Sequence, residues 1–187
     1  MSEGANIAAK RAVPHSLDGT IRRRNSREWA LQMLVALEMA PPEDSLEDFF
    51  PTFWEFERDI IQYLNTDPTN ALKSFDGEAA KPHRAFAEKL VKGIRAHLDE
   101  IDARIEGYLE NWTLQRIGSV DRNVLRGAFY ELFFTDETPP AIIINEAVDI
   151  AKYFSTRESG KFVNGILDRA AKSLGKPLHF QADAPKF

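Results

Sequence analysis

Four arginines near the start of the chain have the chemistry to bind phosphate. Arg22, Arg23, Arg24 and Arg27 lie where a polar arm meets the first predicted helix. Cations at a helix N-terminus oppose its macrodipole and slightly destabilise the helix, so another interaction could be what favours them there. Phosphate oxygens would, because a guanidinium group binds them through two parallel hydrogen bonds. A solvated basic start to a helix is the alternative, and the residues alone leave both interpretations open.

A second group surrounds a predicted break between two helices near the C-terminus. Its members are Lys152, Phe154, Arg157, Lys161 and Phe162. Unpaired RNA bases stack on aromatic rings while Lys and Arg hold the backbone, so this composition is typical of a single-stranded RNA site. Because the two rings flank the break, one of them could be exposed. The alternative, that both rings lie in the core, stays open at this point.

The motifs of common enzymes are missing. The sequence has no cysteine, which excludes disulfides, thiol catalysis and cysteine-ligated zinc. It also lacks a phosphate-binding loop, a dinucleotide fingerprint and the HExxH pattern. Acidic pairs such as Glu43-Asp44 and Glu47-Asp48 are typical of a solvated helix face. We therefore expect a protein that is not an enzyme, with no catalytic residue, no metal ligand and no cofactor.

The charge distribution indicates a local basic patch on an acidic protein. The net charge is −5, from 24 basic and 29 acidic residues. Residues 1–27 hold six basic and two acidic residues, whereas residues 41–80 hold two basic and ten acidic ones. Such asymmetry favours local rather than general attraction of nucleic acid. The sequence has neither a membrane-spanning apolar run nor the apolar middle of a secretory signal, so we expect a cytoplasmic protein.

Apolar residues recur at helical spacing along the chain and predict a single compact all-α domain of about seven helices. Ser26 is the predicted N-cap of the first helix, which should stop at Pro41-Pro42. Pro51 should lie in the first turn of a second helix that runs to about Leu64. Farther along, the pattern predicts a helix break near His97.

The later helices carry the aromatic and cationic group. Asp121 should favour the start of its helix, and Phe154 should end the next one. Ser159 is the predicted N-cap of the last helix, which should finish before Gly175. Gly165 predicts a close approach by a neighbouring helix. The predicted organisation is a flexible arm over residues 1–21, a helical domain over 22–174 with an acidic, loop-containing segment at 41–82, and a tail over 175–187.

Four stretches, in this order and spacing, resemble the NusB family of bacterial transcription antitermination factors: "RRRNSREWALQML", "DRNVLRGAFYEL", "INEAVDIAKYF" and "KFVNGILD". The resemblance covers roughly residues 22–174. It implies an all-α, non-enzymatic protein with two helical subdomains side by side. It also implies binding to single-stranded boxA RNA in ribosomal RNA operon leaders, together with NusE, the small-subunit ribosomal protein S-ten. The pair would then join an RNA polymerase elongation complex that resists termination.

The resemblance also assigns roles to residues. Arg23, Arg24 and Arg27 match the family's RNA-contacting arginines, with Arg22 next to them. Phe154 and Phe162 match its aromatic RNA contacts, with Lys161 beside them, and Lys152 belongs to the same group by composition. Asp121 matches an acidic position that faces NusE. Val35 departs from the family, which often has a tyrosine there. These roles require the arginines and the two rings to share one exposed face.

Two other functions are compatible with the sequence. A helical protein-interaction module without RNA affinity would use the acidic segment at residues 41–80 to bind a basic partner. The RNA-binding domain of an RNA methyltransferase would resemble this fold, but the chain has no Gly-rich cofactor-binding segment.

Overall fold

The structure, a computed structural model, describes residues 23–42, 45–110 without 65–77, and 112–175. These residues form seven α-helices and no strand, which confirms the all-α prediction of about seven helices. The helices are α1 Arg23–Met39, α2 Leu46–Leu64, α3 Lys81–Ala96, α4 Leu98–Glu106, α5 Ser119–Phe134, α6 Pro140–Phe154 and α7 Arg157–Ser173. Short 3-10 turns lie at Glu78–Ala80 and Leu114–Arg116. The predicted arm, most of the predicted tail and Arg22 lie outside the described residues.

The chain divides into two compact units, an N-terminal unit of Met1–Lys92 and a C-terminal unit of Gly93–Phe187. Helix α3 passes from one unit into the other, and each unit is described by itself.

Aromatic side chains dominate the core of the N-terminal unit. Trp29 of α1 meets Trp54 of α2 edge to face at 5.3 Å, and Phe53 meets Trp54 at 5.1 Å. The indole Nε1 of Trp54 donates a hydrogen bond of 2.7 Å to Glu88 of α3. The three helices are therefore joined both by ring packing, which favours such edge-to-face pairs, and by a polar link from a buried indole.

The predicted starts of α1 and α2 are wrong, although their ends are confirmed. Helix α1 begins at Arg23, and Ser26 lies inside it with 0% of its surface exposed. A serine before an apolar run can either cap a helix or pack inside it as a small residue. Ser26 packs inside the helix. Helix α2 begins at Leu46, so Pro51 is its sixth residue. Ser45 provides the start, because its hydroxyl oxygen accepts a hydrogen bond from the N–H of Asp48 at 3.3 Å.

The C-terminal unit packs α4 to α7 around aliphatic side chains and Phe129. The predicted break at His97 is confirmed, since α3 ends at Ala96 and α4 begins at Leu98. Arg126 of α5 binds both carboxylate oxygens of Asp102 of α4 at 2.8 and 2.7 Å, a two-point geometry that fixes one helix against the other.

The turn between α6 and α7 corrects two further predictions. Thr156, and not Ser159, caps α7, because the Thr156 side chain accepts the N–H of Ser159. Gly165 does not admit a neighbouring helix, since a Cβ built there would meet nothing within 4 Å. Gly160 is the crowded glycine, where such a Cβ would lie 2.5 Å from Cγ of Lys152. The end of α7 is confirmed, and Gly175 after it has the left-handed φ of 64° that glycine readily adopts.

Candidate nucleic-acid interface

The N-terminal unit presents a cationic surface formed by α1 and α3. The guanidinium carbon of Arg23 lies 3.9 Å from the ring centroid of Phe86, and that of Arg27 lies 5.8 Å from the same ring. Phe86 is itself 8% exposed, so its packing in the core fixes the surface on which Arg23 stacks. A guanidinium held over an aromatic ring by cation–π attraction remains a cation that can attract an anion. Arg24, which lies between Arg23 and Arg27 in the sequence, is half-buried.

His83 of α3 belongs to the same surface. Partial burial lowers the pKa of His83, and the charge of Arg23 lowers it further. The second effect places the imidazole in the electrostatic field of Arg23. An anion bound at Arg23 would therefore act on His83 as well.

Four polar side chains organise the turn between α6 and α7. The hydroxyl of Ser159 donates to Oδ2 of Asp121 at 2.8 Å, so it has no second proton to donate. The hydroxyls of Ser155 and Thr156 each lie 2.9 Å from Ser159 Oγ. Because the Ser159 proton is already donated to Asp121, both of these hydroxyls donate to Ser159 Oγ. Asp121 thus anchors this turn to the start of α5. Its other oxygen, Oδ1, is buried and accepts no hydrogen bond from the described residues.

The two predicted aromatic contacts, Phe154 and Phe162, are both half-buried, in contrast to Phe129, which is 0% exposed. Phe154 packs edge to face on Tyr153 at 4.9 Å. Phe162 lines a surface cavity, which we call the Phe162 cavity. Neither ring is enclosed in the core, so part of each is available to a ligand.

The two predicted lysines are exposed and each is paired with a carboxylate one turn away. Lys161 Nζ lies 2.9 Å from Oε1 of Glu158, and Lys152 Nζ lies 3.4 Å from Oδ1 of Asp149. The aliphatic stem of Lys152 crosses Gly160, which is why a side chain is excluded there. Exposed pairs of this kind are weak and exchange readily with another anion.

The Phe162 cavity has a volume of about 290 Å³ and lies within the C-terminal unit. Its aromatic and cationic lining consists of Tyr108, Trp112, Lys161, Phe162 and Arg169, with Gly165 in one wall. Arg116 adds a cation over the Trp112 ring at 5.3 Å. Sequence reasoning missed Tyr108 and Trp112. The available signal was a tryptophan in the short polar link "ENWTLQ" between two helices.

The structure brings Lys161 together with Phe162 in one cavity, and it places Lys152 and Phe154 on the last turn of α6. The arginines belong to the N-terminal unit and the rings to the C-terminal unit, so it stays a prediction that the arginines and the rings share one exposed face.

Within the described ranges, no cluster of His, Cys, Asp and Glu is suited to hold a metal ion. Nor does any described helix have the length and apolar character needed to cross a bilayer.

Comparison with known proteins gives concordant matches. The NusB family model matches residues 24–172. A transcription antitermination protein NusB from Myxococcus xanthus is 40% identical over 155 residues, which cover 83% of this chain and 98% of that protein. One from Thermodesulfovibrio yellowstonii is 36% identical over 152 residues, which cover 81% and 93%.

Two solved structures extend the likeness to the fold. T. maritima NusB superposes with a TM-score of 0.55 at 37% identity, over 82% of this chain and 92% of that one. A NusB solved with NusE and double-stranded RNA gives 0.57 at 27% identity, over 81% and 96%. An all-α fold with these relatives defines a transcription antitermination protein, a class that does not catalyse a reaction. The chain belongs to the NusB family.

Proposed function

We propose that this protein binds single-stranded boxA-type RNA from ribosomal RNA operon leaders together with NusE, the small-subunit ribosomal protein S-ten. The pair then joins an RNA polymerase antitermination complex in the bacterial cytoplasm. The observation that carries the proposal is the half-buried ring of Phe162 in an open cavity beside the exposed Lys161. The NusB that was solved with NusE and double-stranded RNA supports the part of the proposal that concerns RNA and NusE.

The proposed RNA contacts come from both units. They are Arg22, Arg23, Arg24 and Arg27 in the N-terminal unit and Lys152, Phe154, Lys161 and Phe162 in the C-terminal unit. The stacking of Arg23 on Phe86 supports the first group, and the partial exposure of both rings supports the second. Asp121 is the proposed contact to NusE, in addition to its bond to Ser159.

Electrostatics gives this site a defined character. The net charge of −5 repels RNA in general, so attraction depends on a few local cations. Affinity that rests on few phosphate contacts is modest and falls with salt. NusE bound to the same strand adds contacts and raises the overall affinity without new chemistry in this chain.

A titration tests the proposal. The purified protein is titrated against fluorescently labelled single-stranded boxA RNA, with and without NusE, at two salt concentrations. Phe162→Ala and Arg27→Ala should each weaken binding, by about 1–3 kcal/mol for a lost stack. Phe56→Ala is the matched control, because Phe56 is a 61% exposed phenylalanine on the acidic helix α2.

The titration also decides between functions. If neither substitution weakens binding more than Phe56→Ala does, the site assignment is wrong while RNA binding stands. If the wild-type protein binds no RNA with or without NusE, the helical interaction module that uses the acidic segment at 41–80 is the better description.

A further inference from the structure

The Phe162 cavity has the size of a site for one planar group. Its volume of about 290 Å³ is at the lower end of the range for small-molecule sites. It lies between α7 and the link that follows α4. A single nucleobase is a group of this class, whereas a stack of several bases is not.

The walls of the cavity are held in place by contacts with the core and by a contact between two lining residues. The ring of Tyr108 packs edge to face on Phe129 at 5.7 Å, and its hydroxyl lies 2.6 Å from Ser173 Oγ. Arg169 donates a hydrogen bond of 2.7 Å to the carbonyl of Tyr108. The site is therefore largely formed before a ligand arrives, which reduces the entropic cost of binding.

The lining favours a base inside and a phosphate at the mouth. Trp112 is 55% exposed, an unusual state for the largest apolar side chain, and with Phe162 it offers stacking surface. Lys161 and Arg169 supply positive charge at the cavity. Glu110 also lines it, with Oε1 3.8 Å from Arg169 Nη1. A carboxylate and aromatic faces disfavour a phosphate in the interior but accept a neutral base.

Gly165 leaves one wall without a side chain. Glycine inside a helix is less favourable than alanine, and the usual structural reason, close packing of a neighbour, does not apply because a Cβ there would meet nothing within 4 Å. Its effect is to widen the cavity beside Phe162. Gly127 of α5 is equally open but does not line this cavity, which makes it a control.

From this geometry we propose that the Phe162 cavity receives one unstacked nucleobase of the bound RNA, with Trp112 and Tyr108 as additional contacts and Lys161 and Arg169 on the adjoining phosphates. The proposal rests on the proposed function and adds to it a pocket for a single base. The RNA contact is thus an insertion of one base and not only a stack on an outer surface.

The first test changes the volume of the cavity. Gly165→Ala and Gly165→Leu add side chains into open space, so both proteins should fold, and Gly165→Ala should raise the thermal midpoint as Gly127→Ala does. Affinity for boxA RNA with NusE should fall progressively with side-chain size at position 165, by about 5- to 150-fold for leucine. Gly127→Ala should leave the affinity unchanged.

The second test identifies the base. Each nucleotide of the RNA is replaced in turn by an abasic one, and the affinity of each RNA is measured for wild type, Gly165→Leu and Trp112→Ala. In the wild type, at least one position should lose about 5- to 150-fold. At one such position Gly165→Leu should abolish most of that loss, because the leucine already fills the pocket, and Trp112→Ala should reduce the loss, because one stacking surface is already missing.

The outcomes separate the two proposals. If wild type binds the RNA and Gly165→Leu binds it equally well, or if every abasic position costs the variants as much as it costs wild type, the pocket is overturned while the proposed function stands. Wild type that binds no RNA with or without NusE overturns both.

Discussion

Ser159 and Asp121 belong to different helices, and the Ser159 hydroxyl donates a hydrogen bond of 2.8 Å to Oδ2 of Asp121. Ser159 is 7% exposed and also lies within hydrogen-bond distance of Ser155 and Thr156. The bond connects the start of α5 to the turn whose flanking helices carry Phe154 and Phe162. Asp121 therefore has a structural role that is separable from its proposed contact with NusE.

Ser159→Ala should lower the free energy of unfolding by about 1–3 kcal/mol, because the substitution leaves buried polar atoms without partners. Denaturant unfolding followed by circular dichroism measures the change. In a double-mutant cycle with Asp121→Ala, the two effects should not add. Additive effects would show that the bond does not stabilise the folded state.

The same variants separate the two roles of Asp121. If Asp121 contacts NusE directly, Asp121→Ala should weaken NusE binding more than Ser159→Ala does. Equal losses in a NusE titration would indicate that both substitutions act through the turn.

Arg23→Ala should weaken RNA binding and reduce the slope of log affinity against log salt by about 1, as expected for one lost phosphate contact. Arg104→Ala is the matched control. Its guanidinium also lies over a phenylalanine ring, 5.0 Å from the centroid of Phe133, but it belongs to neither proposed cluster. A slope that changes equally in both variants would contradict a specific role for Arg23.

RNA affinity should increase as the pH falls from about 7.5 to about 6, and His83→Gln should remove part of the increase. Burial and the charge of Arg23 lower the pKa of His83 in the free protein. A phosphate at Arg23 offsets that charge and raises the pKa, so binding takes up a proton and is favoured at lower pH.

Titrations at the two pH values, with the imidazole followed by NMR, measure this linkage. His97→Gln is the control, because His97 lies in the C-terminal unit against Phe134. An unchanged His83 pKa in the complex would place the phosphate elsewhere.

Glu57→Gln should remove a pH dependence of stability. Glu57 is 7% exposed, and burial raises its pKa from 4.5 to about 7, against the opposing charge of Arg84. The folded protein therefore holds a proton that the unfolded chain releases, and this stabilisation is complete below pH 4.5 and lost as the pH rises through about 7. At high pH the variant should be the more stable protein, by up to about 3 kcal/mol, with no difference at low pH.

Thermal unfolding across this pH range is the measurement for Glu57. The control is Glu55→Gln, an exposed position on the same helix. If the thermal midpoint of the wild-type protein varies with pH in the same way as the midpoint of Glu57→Gln, the elevated pKa of Glu57 is contradicted.

Helical periodicity predicted the elements because the apolar faces of these helices are continuous, and it located the break at His97. It predicted helix starts less well. Serine is suited both to cap a helix and to pack inside one, so Ser26 and Ser159 were assigned the wrong role.

The Phe162 cavity was only partly predictable. Lys161 and Phe162 are adjacent and visible as a pattern, whereas Tyr108 and Trp112 reach them only through the tertiary fold from about fifty residues away. The openness at Gly165 is likewise a property of the space around the helix, which no local sequence pattern encodes.

The carboxylates one turn from Lys152 and Lys161 act as built-in counterions. In the proposed complex, a bound RNA strand would displace these carboxylates, so an unrelated polyanion would gain little from the two lysines, whereas a strand already held by its bases would complete the exchange at short range. Release would be eased for the same reason, because each ammonium group would recover its carboxylate as the RNA dissociates. Such a surface would favour an assembly that forms on one transcript and is taken apart for the next.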